Sequence, residues 1–314
     1  MTEHTVSQKS NDYMEVEVKE ESEPFEIVQP LSFEEWFKQS KFSDNENVLA
    51  NVYERTPEEI IQYYLEAFAV EEDWYAVSYT NLLTQDTYNH REDEVMLAAS
   101  TTKVLIAILY YDLVEKNELT LDDPIPYFPF FYQEGGGEIT AAVQSGLIEE
   151  TYPLSYVIQE MITSSDNTAW YMLIDYYNQQ IGDINQAMHD AIPDPNQPAE
   201  LFVENKTSAS YLEKILLTLL EKDTYQPILE YMRQADEDLF LLYYVENDNP
   251  VKYGLLFDYK HHMGIYEVEK KPVLTIVLMT EYLDFDQANQ FFGGIGLQLA
   301  VKGEYDAYLQ AYTE

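Results

Sequence analysis

Residues 104–109 read VLIAIL, six positions without a polar side chain, and Lys103 stands directly before them. Such a run belongs in an interior, and it draws the lysine at its mouth inward. Ser100 lies three residues earlier. On a helix, residues three apart share a face, so a serine in the first turn and a lysine one turn later point to one spot. Burial disfavours an ammonium ion and lowers its pKa. The neutral amine can then take the serine's proton, and a Ser–Lys pair is one known form of activated nucleophile. A helix N-terminus adds a positive field where an oxyanion would develop. Alone, S-x-x-K is a cheap pattern that an ordinary helix start explains equally well.

The hydrophobic period changes twice along the chain. TPEEIIQYYLEAF reads as a helix with Thr56 as cap and Pro57 in the first turn. DWYAVSYTNLL alternates as a strand, and TYNHREDEVML is expected to return as a second. The middle has helical spacing in YPLSYVIQEMI, in NTAWYMLIDYYNQQIG up to Gly182, and in TSASYLEKILLTLLEKD, capped by Thr207 or Ser208. KYGLLFDYK, HHMGIYEVE and PVLTIVLMT then read as three strands joined by tight turns, and a helix from FDQANQ closes the chain. The predicted fold class is therefore α/β (α+β). An antiparallel sheet forms from both ends of the chain, helices flank it, and an all-helical lobe is inserted between, with the site between lobe and sheet. Residues 1–30 are polar and acidic and predict a disordered tail, residues 31–59 an N-terminal extension, and residues 60–314 the main domain.

Charge excludes some partners. Among 314 residues, 58 are acidic and 17 basic, a net −41. Nucleic acid and anionic membrane surfaces are repelled by such a chain, and a solvated acidic surface is the ordinary explanation. No cysteine is present, which removes thiol catalysis, disulfides and cysteine-ligated metal. No apolar stretch is long enough to span a bilayer, and the first residues lack the basic-then-apolar pattern of a signal peptide. Neither a metal nor a cofactor is expected. His261 and His262 are adjacent in a strand, so they face opposite sides and cannot both ligate one ion. Asp122 and Asp123, before Pro124, read as a turn. The 28 tyrosines, where they recur at helical spacing, read as packing.

Two further strings carry chemistry. Ser165-Asp166-Asn167 stands at a helix start, where a hydroxyl and an amide two positions apart can converge on a site, although Ser, Asp and Asn are also ordinary caps. Lys252-Tyr253-Gly254 opens a strand that leads into a hairpin, offering a cation and a close backbone approach.

The ordered set STTK, SDN and KYG resembles the penicillin-recognising serine hydrolases, the class A β-lactamases and D-Ala-D-Ala peptidases, whose signature is S-x-x-K, S-D-N and K-T-G. The resemblance runs from about residue 60 to the C-terminus. It implies roles: Ser100 as acylated nucleophile, Lys103 as general base, Ser165 as proton shuttle, Asn167 as support for Lys103 and substrate, and Lys252 as electrostatic support for Ser165. The N–H groups of Ser100 and Leu255 would form the oxyanion hole, with Tyr253 and Gly254 on the substrate side. It also implies work outside the cytoplasmic membrane, at the cell surface or beyond, whereas the missing signal pattern is what a cytoplasmic protein would show.

Two departures bear on substrate. Tyr253 replaces the small hydroxyl residue that helps the family bind a carboxylate. The deacylating E-x-x-L-N of class A β-lactamases has no match between Asn167 and Lys252; the nearest stretch, NQPAELFVENKTSAS, puts Gln197 at the glutamate's place and Phe202 at the asparagine's, with Glu200 and Glu204 nearby. The expected function is a serine hydrolase acting through an acyl-enzyme on a peptide, an ester or a β-lactam-like molecule, in cell-wall metabolism. The alternatives are a catalytically weakened surface or wall-binding protein that keeps the fold, and a true class A β-lactamase.

Overall fold

The computed structural model describes residues 29–195, 197–235, 238–245 and 248–312. The expected disordered tail falls almost wholly outside the described residues. Along the chain, α1 (Phe33–Phe37) and α2 (Pro57–Phe68) precede β1 (Tyr75–Asn81), β2 (Thr87–His90) and β3 (Met96–Leu97). Thr56 caps α2 through a reciprocal pair of bonds with Glu59, and Pro57 opens the helix, as the sequence predicts. The segment expected to be one second strand is two. Arg91 takes a left-handed φ of 45°, and the Glu94 N–H closes a turn on the Arg91 carbonyl, so β3 leaves the sheet.

Next come α3 (Lys103–Glu115), β4 (Pro124–Pro126), α4 (Glu138–Ser145), β5 (Thr151–Pro153), α5 (Leu154–Thr163), α6 (Asn167–Gln180) and α7 (Ile184–Ala191). They are followed by β6 (Lys206–Thr207), α8 (Ala209–Leu219) and α9 (Gln226–Arg233). Ser208, not Thr207, caps α8, accepting from the Tyr211 N–H. Asp123 closes the expected turn by accepting from Thr120 N at 3.0 Å and Thr120 Oγ1 at 2.7 Å. The chain ends with β7 (Val251–Leu256), β8 (Tyr259–Val268), β9 (Lys271–Thr280) and α10 (Phe285–Gln310).

The main sheet has the antiparallel order β2-β1-β9-β8-β7, so the two ends of the chain meet where β1 pairs with β9. Strand alternation builds two cores, one on each face. Val277 and Met279 of β9 face the helical lobe, whereas Leu274, Ile276 and Leu278 pack with residues of α2 and α10. Each of residues 103–111 of α3 is buried, which is why its sequence is apolar all round. Helix α3 runs through the lobe's core, and its first residue is a lysine.

Candidate active site

Ser100 is not in the first turn of α3. The helix begins at Lys103, and Ser100 belongs to the turn before it, where the Lys103 N–H reaches back to the Ser100 carbonyl at 3.4 Å. The residue before the serine, Ala99, holds a left-handed φ of 51°. A side-chain-bearing residue is strained there, and such strain persists only where surrounding contacts over-determine it.

The lysine is 2% exposed and is held from the second motif. Its Nζ lies 2.6 Å from Ser165 O, 2.8 Å from Asn167 Oδ1 and 3.2 Å from Ser165 Oγ. Ser165 also takes a left-handed φ, of 54°, which turns both its carbonyl and its hydroxyl toward the lysine. Asp166, between them, is the structural member. It is fully buried and caps α6 by accepting from Ala169 N at 3.0 Å. It also accepts from Thr140 N at 2.9 Å and Thr140 Oγ1 at 2.8 Å, locking the motif to α4. The glycine turn before α4 follows from this: at Gly137, with φ of 101°, a Cβ would lie 2.2 Å from Asp166 Oδ2.

Burial drives the Lys103 pKa well below the ordinary lysine value, the positive charge of Lys252 pushes it further down, and Asp166 opposes both. The neutral amine suits its partners. It has two N–H donors and one lone pair. Ser165 O and the Asn167 carbonyl oxygen can only accept, so they take the donors and leave the lone pair for a hydroxyl proton.

The third motif lies on β7, the edge strand. Lys252 is fully buried, with Nζ 4.3 Å from the centre of the Tyr253 ring. Gly254 lets the strand approach the Ser100 turn, since a Cβ there would sit 3.0 Å from Ala98 O and 3.1 Å from Ala99 Cβ. Ser100, Ser165, Asn167, Tyr253 and Leu255 all line one cleft of about 510 Å³, with residues 135–137 on its rim. Thr163, Ser164 and Gln234 complete the lining. Among the described residues that lining contains no carboxylate and no cationic side chain. Of the stretch nearest to E-x-x-L-N, Phe202 is buried against Tyr211, and Glu204 pairs with Lys206 at 3.2 Å. Neither they nor Gln197 and Glu200 line the cleft.

The adjacent histidines face opposite ways, as alternation requires. His262 Nδ1 accepts from Leu241 N at 2.9 Å, whereas His261 Nε2 donates to Leu97 O at 2.6 Å, beside the Ser100 turn. Sequence reasoning missed this role of His261, and it missed Asn205, whose side chain touches Ala99 and Thr102 from more than 100 residues away. No local pattern marks either residue.

Comparison with known proteins gives a family and a fold. Residues 57–302 match the family described as Beta-lactamase enzyme family. No curated protein matches the chain. Among solved structures, the fold is similar to a mutant of PBP-A solved as its acyl-enzyme complex with penicillin G. That match has 20% identity over 80% of this chain and 98% of that one, with a TM-score of 0.65. It is similar also to a beta-lactamase from Sphaerobacter thermophilus, at 20% identity over 78% and 97%, TM-score 0.65. A class A beta-lactamase reconstructed as the last common ancestor of Gram-negative bacteria gives 17% identity over 76% and 97%, TM-score 0.64. At these identities the likeness to solved structures is a likeness of fold.

Proposed function

Because the chain belongs to the beta-lactamase enzyme family, we propose that it is a serine hydrolase that works through an acyl-enzyme on a peptide or ester, in cell-wall metabolism outside the cytoplasmic membrane. One observation carries the reading: a buried lysine amine, enclosed by Ser165 and Asn167, beneath a cleft lined by Ser100. Ser100 Oγ attacks the substrate carbonyl carbon while its proton passes to Lys103 Nζ. The N–H groups of Ser100 and Leu255 stabilise the oxyanion, where one such donor contributes about 3–4 kcal/mol. Lys103 returns that proton through Ser165 Oγ to the leaving group as the C–N or C–O bond breaks. Lys252 raises the local positive potential, which favours both the neutral Lys103 and the developing negative charge. Water then cleaves the acyl-enzyme.

Among the described residues the cleft's lining holds no carboxylate, which supports slow deacylation of a β-lactam, and so a peptidase-like or esterase-like enzyme in preference to an efficient β-lactamase. The lack of a cation in the lining among the described residues, with Tyr253 over Lys252, supports an uncharged acyl donor. The intact Ser100, Lys103, Ser165 and Asn167 favour an enzyme over a binding protein that keeps only the fold. Among the described residues no helix is long and apolar enough to cross a membrane.

The test is intact mass after incubation with a fluorescent penicillin, beside Ser100→Ala. A β-lactam opens without losing a fragment, so the expected product is the protein plus the whole penicillin, on the parent chain alone. Labelling or turnover that persists in the folded Ser100→Ala chain would sink the mechanism.

A further inference from the structure

We infer that Asn205 is a positioning residue: it orients the peptide between Ala99 and Ser100, and through it the Ser100 N–H of the oxyanion hole. The inference rests on the acyl-enzyme reading above. Three hydrogen bonds carry it. Asn205 Nδ2 donates to Ala99 O at 2.9 Å, Asn205 Oδ1 accepts from Thr102 Oγ1 at 2.9 Å, and Asn205 O accepts from Ala98 N at 2.8 Å. One residue thus grips the turn on both sides of the nucleophile. The amide's orientation is fixed by its partners, because a carbonyl oxygen such as Ala99 O needs a donor.

The bond to Ala99 O is the consequential one. That carbonyl and the Ser100 N–H belong to the same planar trans peptide, so they point in opposite directions. Holding the carbonyl toward Asn205 holds the N–H away from it. The turn needs such a tie, since Ala99 sits in left-handed backbone with φ of 51°. Gly254 closes the other side, near enough that a Cβ there would lie 3.0 Å from Ala98 O and 3.1 Å from Ala99 Cβ. The nucleophile turn is therefore clamped between β7, which carries the Leu255 donor, and Asn205. The clamp stands behind the site: Asn205 is not among the residues lining the cleft. Asn205 itself has φ of 56°, a conformation that asparagine tolerates better than most residues.

The full chain and Asn205→Asp separate this role from mere support. Aspartate keeps the size and the acceptor for Thr102 but puts an oxygen where Ala99 O needs a donor. Acylation is timed with an activated oxygen ester and with the matching thionoester, whose sulfur fits an oxyanion hole poorly. Asn205→Asp is expected to slow acylation by the oxygen ester about 10²-fold, the size of losing one oxyanion donor. Ligand affinity should be little changed, and the oxygen-to-sulfur rate ratio should fall. Thr102→Val, which removes only the other side-chain bond, is expected to keep both the rate and the ratio. Should the aspartate variant not fold, Asn205→Gly suits the left-handed backbone, keeps the main-chain bond to Ala98 and carries the same expectations. A folded variant that acylates like the parent overturns the inference. So does one that slows for both esters in equal proportion, since that reports general loosening. A parent chain that neither ester nor penicillin labels at Ser100 removes the acyl-enzyme reading and this one together. A labelled parent with an indifferent Asn205 removes this one alone.

Discussion

Both lysines beside the cleft are buried, and they are held in different ways. Lys103, on the lobe side, is surrounded by three oxygen atoms at hydrogen-bonding distance. Lys252, on the sheet side, packs its Nζ on the face of the neighbouring Tyr253 ring. The lobe wall is therefore specified atom by atom, with Ser165 strained and Asp166 locked to Thr140 to deliver the acceptors. The sheet wall is specified by backbone: β7 is placed by pairing with β8 and by the close approach at Gly254. A side chain can change on the second wall without moving the wall. This is where the chain departs from the K-T-G pattern, and the lobe wall keeps S-D-N intact.

The largest break comes from the lobe wall. Lys103→Met preserves volume but removes the proposed base and leaves Ser165 O and Asn167 Oδ1 without their donor. Acylation by an activated ester should fall about 10³-fold, within the range for a lost general base. In the parent, acylation should rise with pH as Lys103 loses its proton, on a limb below the ordinary lysine range. Lys252→Met, which removes the neighbouring positive charge, should move that limb to higher pH. A limb that stays in place would detach the sheet wall's lysine from the lobe wall's.

A smaller effect tests what ties the two walls together. His261 lies across from Gly254 on β8, donates from Nε2 to Leu97 O, and accepts at Nδ1 from Thr280 N at 3.2 Å. Both ring nitrogens are used by the neutral form. Burial holds the pKa at about 4, against an ordinary 6.5. Between those values the unfolded chain binds the proton and the folded one does not, so stability is fully present above pH 6.5 and is lost as pH falls to 4. The loss is about 3 kcal/mol at roughly 1.4 kcal/mol per pH unit. His262 is held lower, at about 3, by burial and by Lys252, and it adds to the same acid loss. Urea unfolding of parent and His261→Gln at pH 7 and pH 4.5 isolates the His261 share as the difference. Equal acid losses in the two chains would mean that His261 does not anchor the Ser100 turn.

The sheet was legible from the chain's ends because short apolar runs there are bounded by tight turns, even though β1, β8 and β9 are buried on both faces. The long apolar run was legible because α3 is buried on every side. The three strings of the resemblance could be read because each lies within a few residues. What escaped has one cause. Ser100 sits outside its helix after a left-handed Ala99, and the turn is met by residues from other parts of the chain: Asn205 at Ala99 O, His261 at Leu97 O and Gly254 against Ala98 and Ala99. The break between β2 and β3 likewise turns on one left-handed residue, Arg91, that propensity does not mark. Local patterns carry elements and motifs. The contacts that make a motif rigid are long-range, and neither Asn205 nor His261 carries a spacing signal.

The smallest predicted effect bears on the substrate. Tyr253→Thr should leave β7 in place, because the strand's position comes from its pairing with His262 and from Gly254. It should remove the ring from Lys252 and return a small hydroxyl to the wall. A carboxylate-bearing ligand such as penicillin should then bind about tenfold more tightly, the worth of one charge-assisted hydrogen bond of about 1.5 kcal/mol. A neutral ester, which makes no use of that hydroxyl, should bind and acylate as before. Salt separates the local effect from the global one. The net charge of −41 repels anions at long range, and raising ionic strength screens that beyond about 10 Å. Added salt should therefore speed penicillin capture by both chains in the same proportion, while the tenfold gain of Tyr253→Thr persists at high salt. A gain that vanishes with salt would assign the preference for uncharged substrates to the acidic surface, and a gain shared by the neutral ester would assign it to the size of the ring.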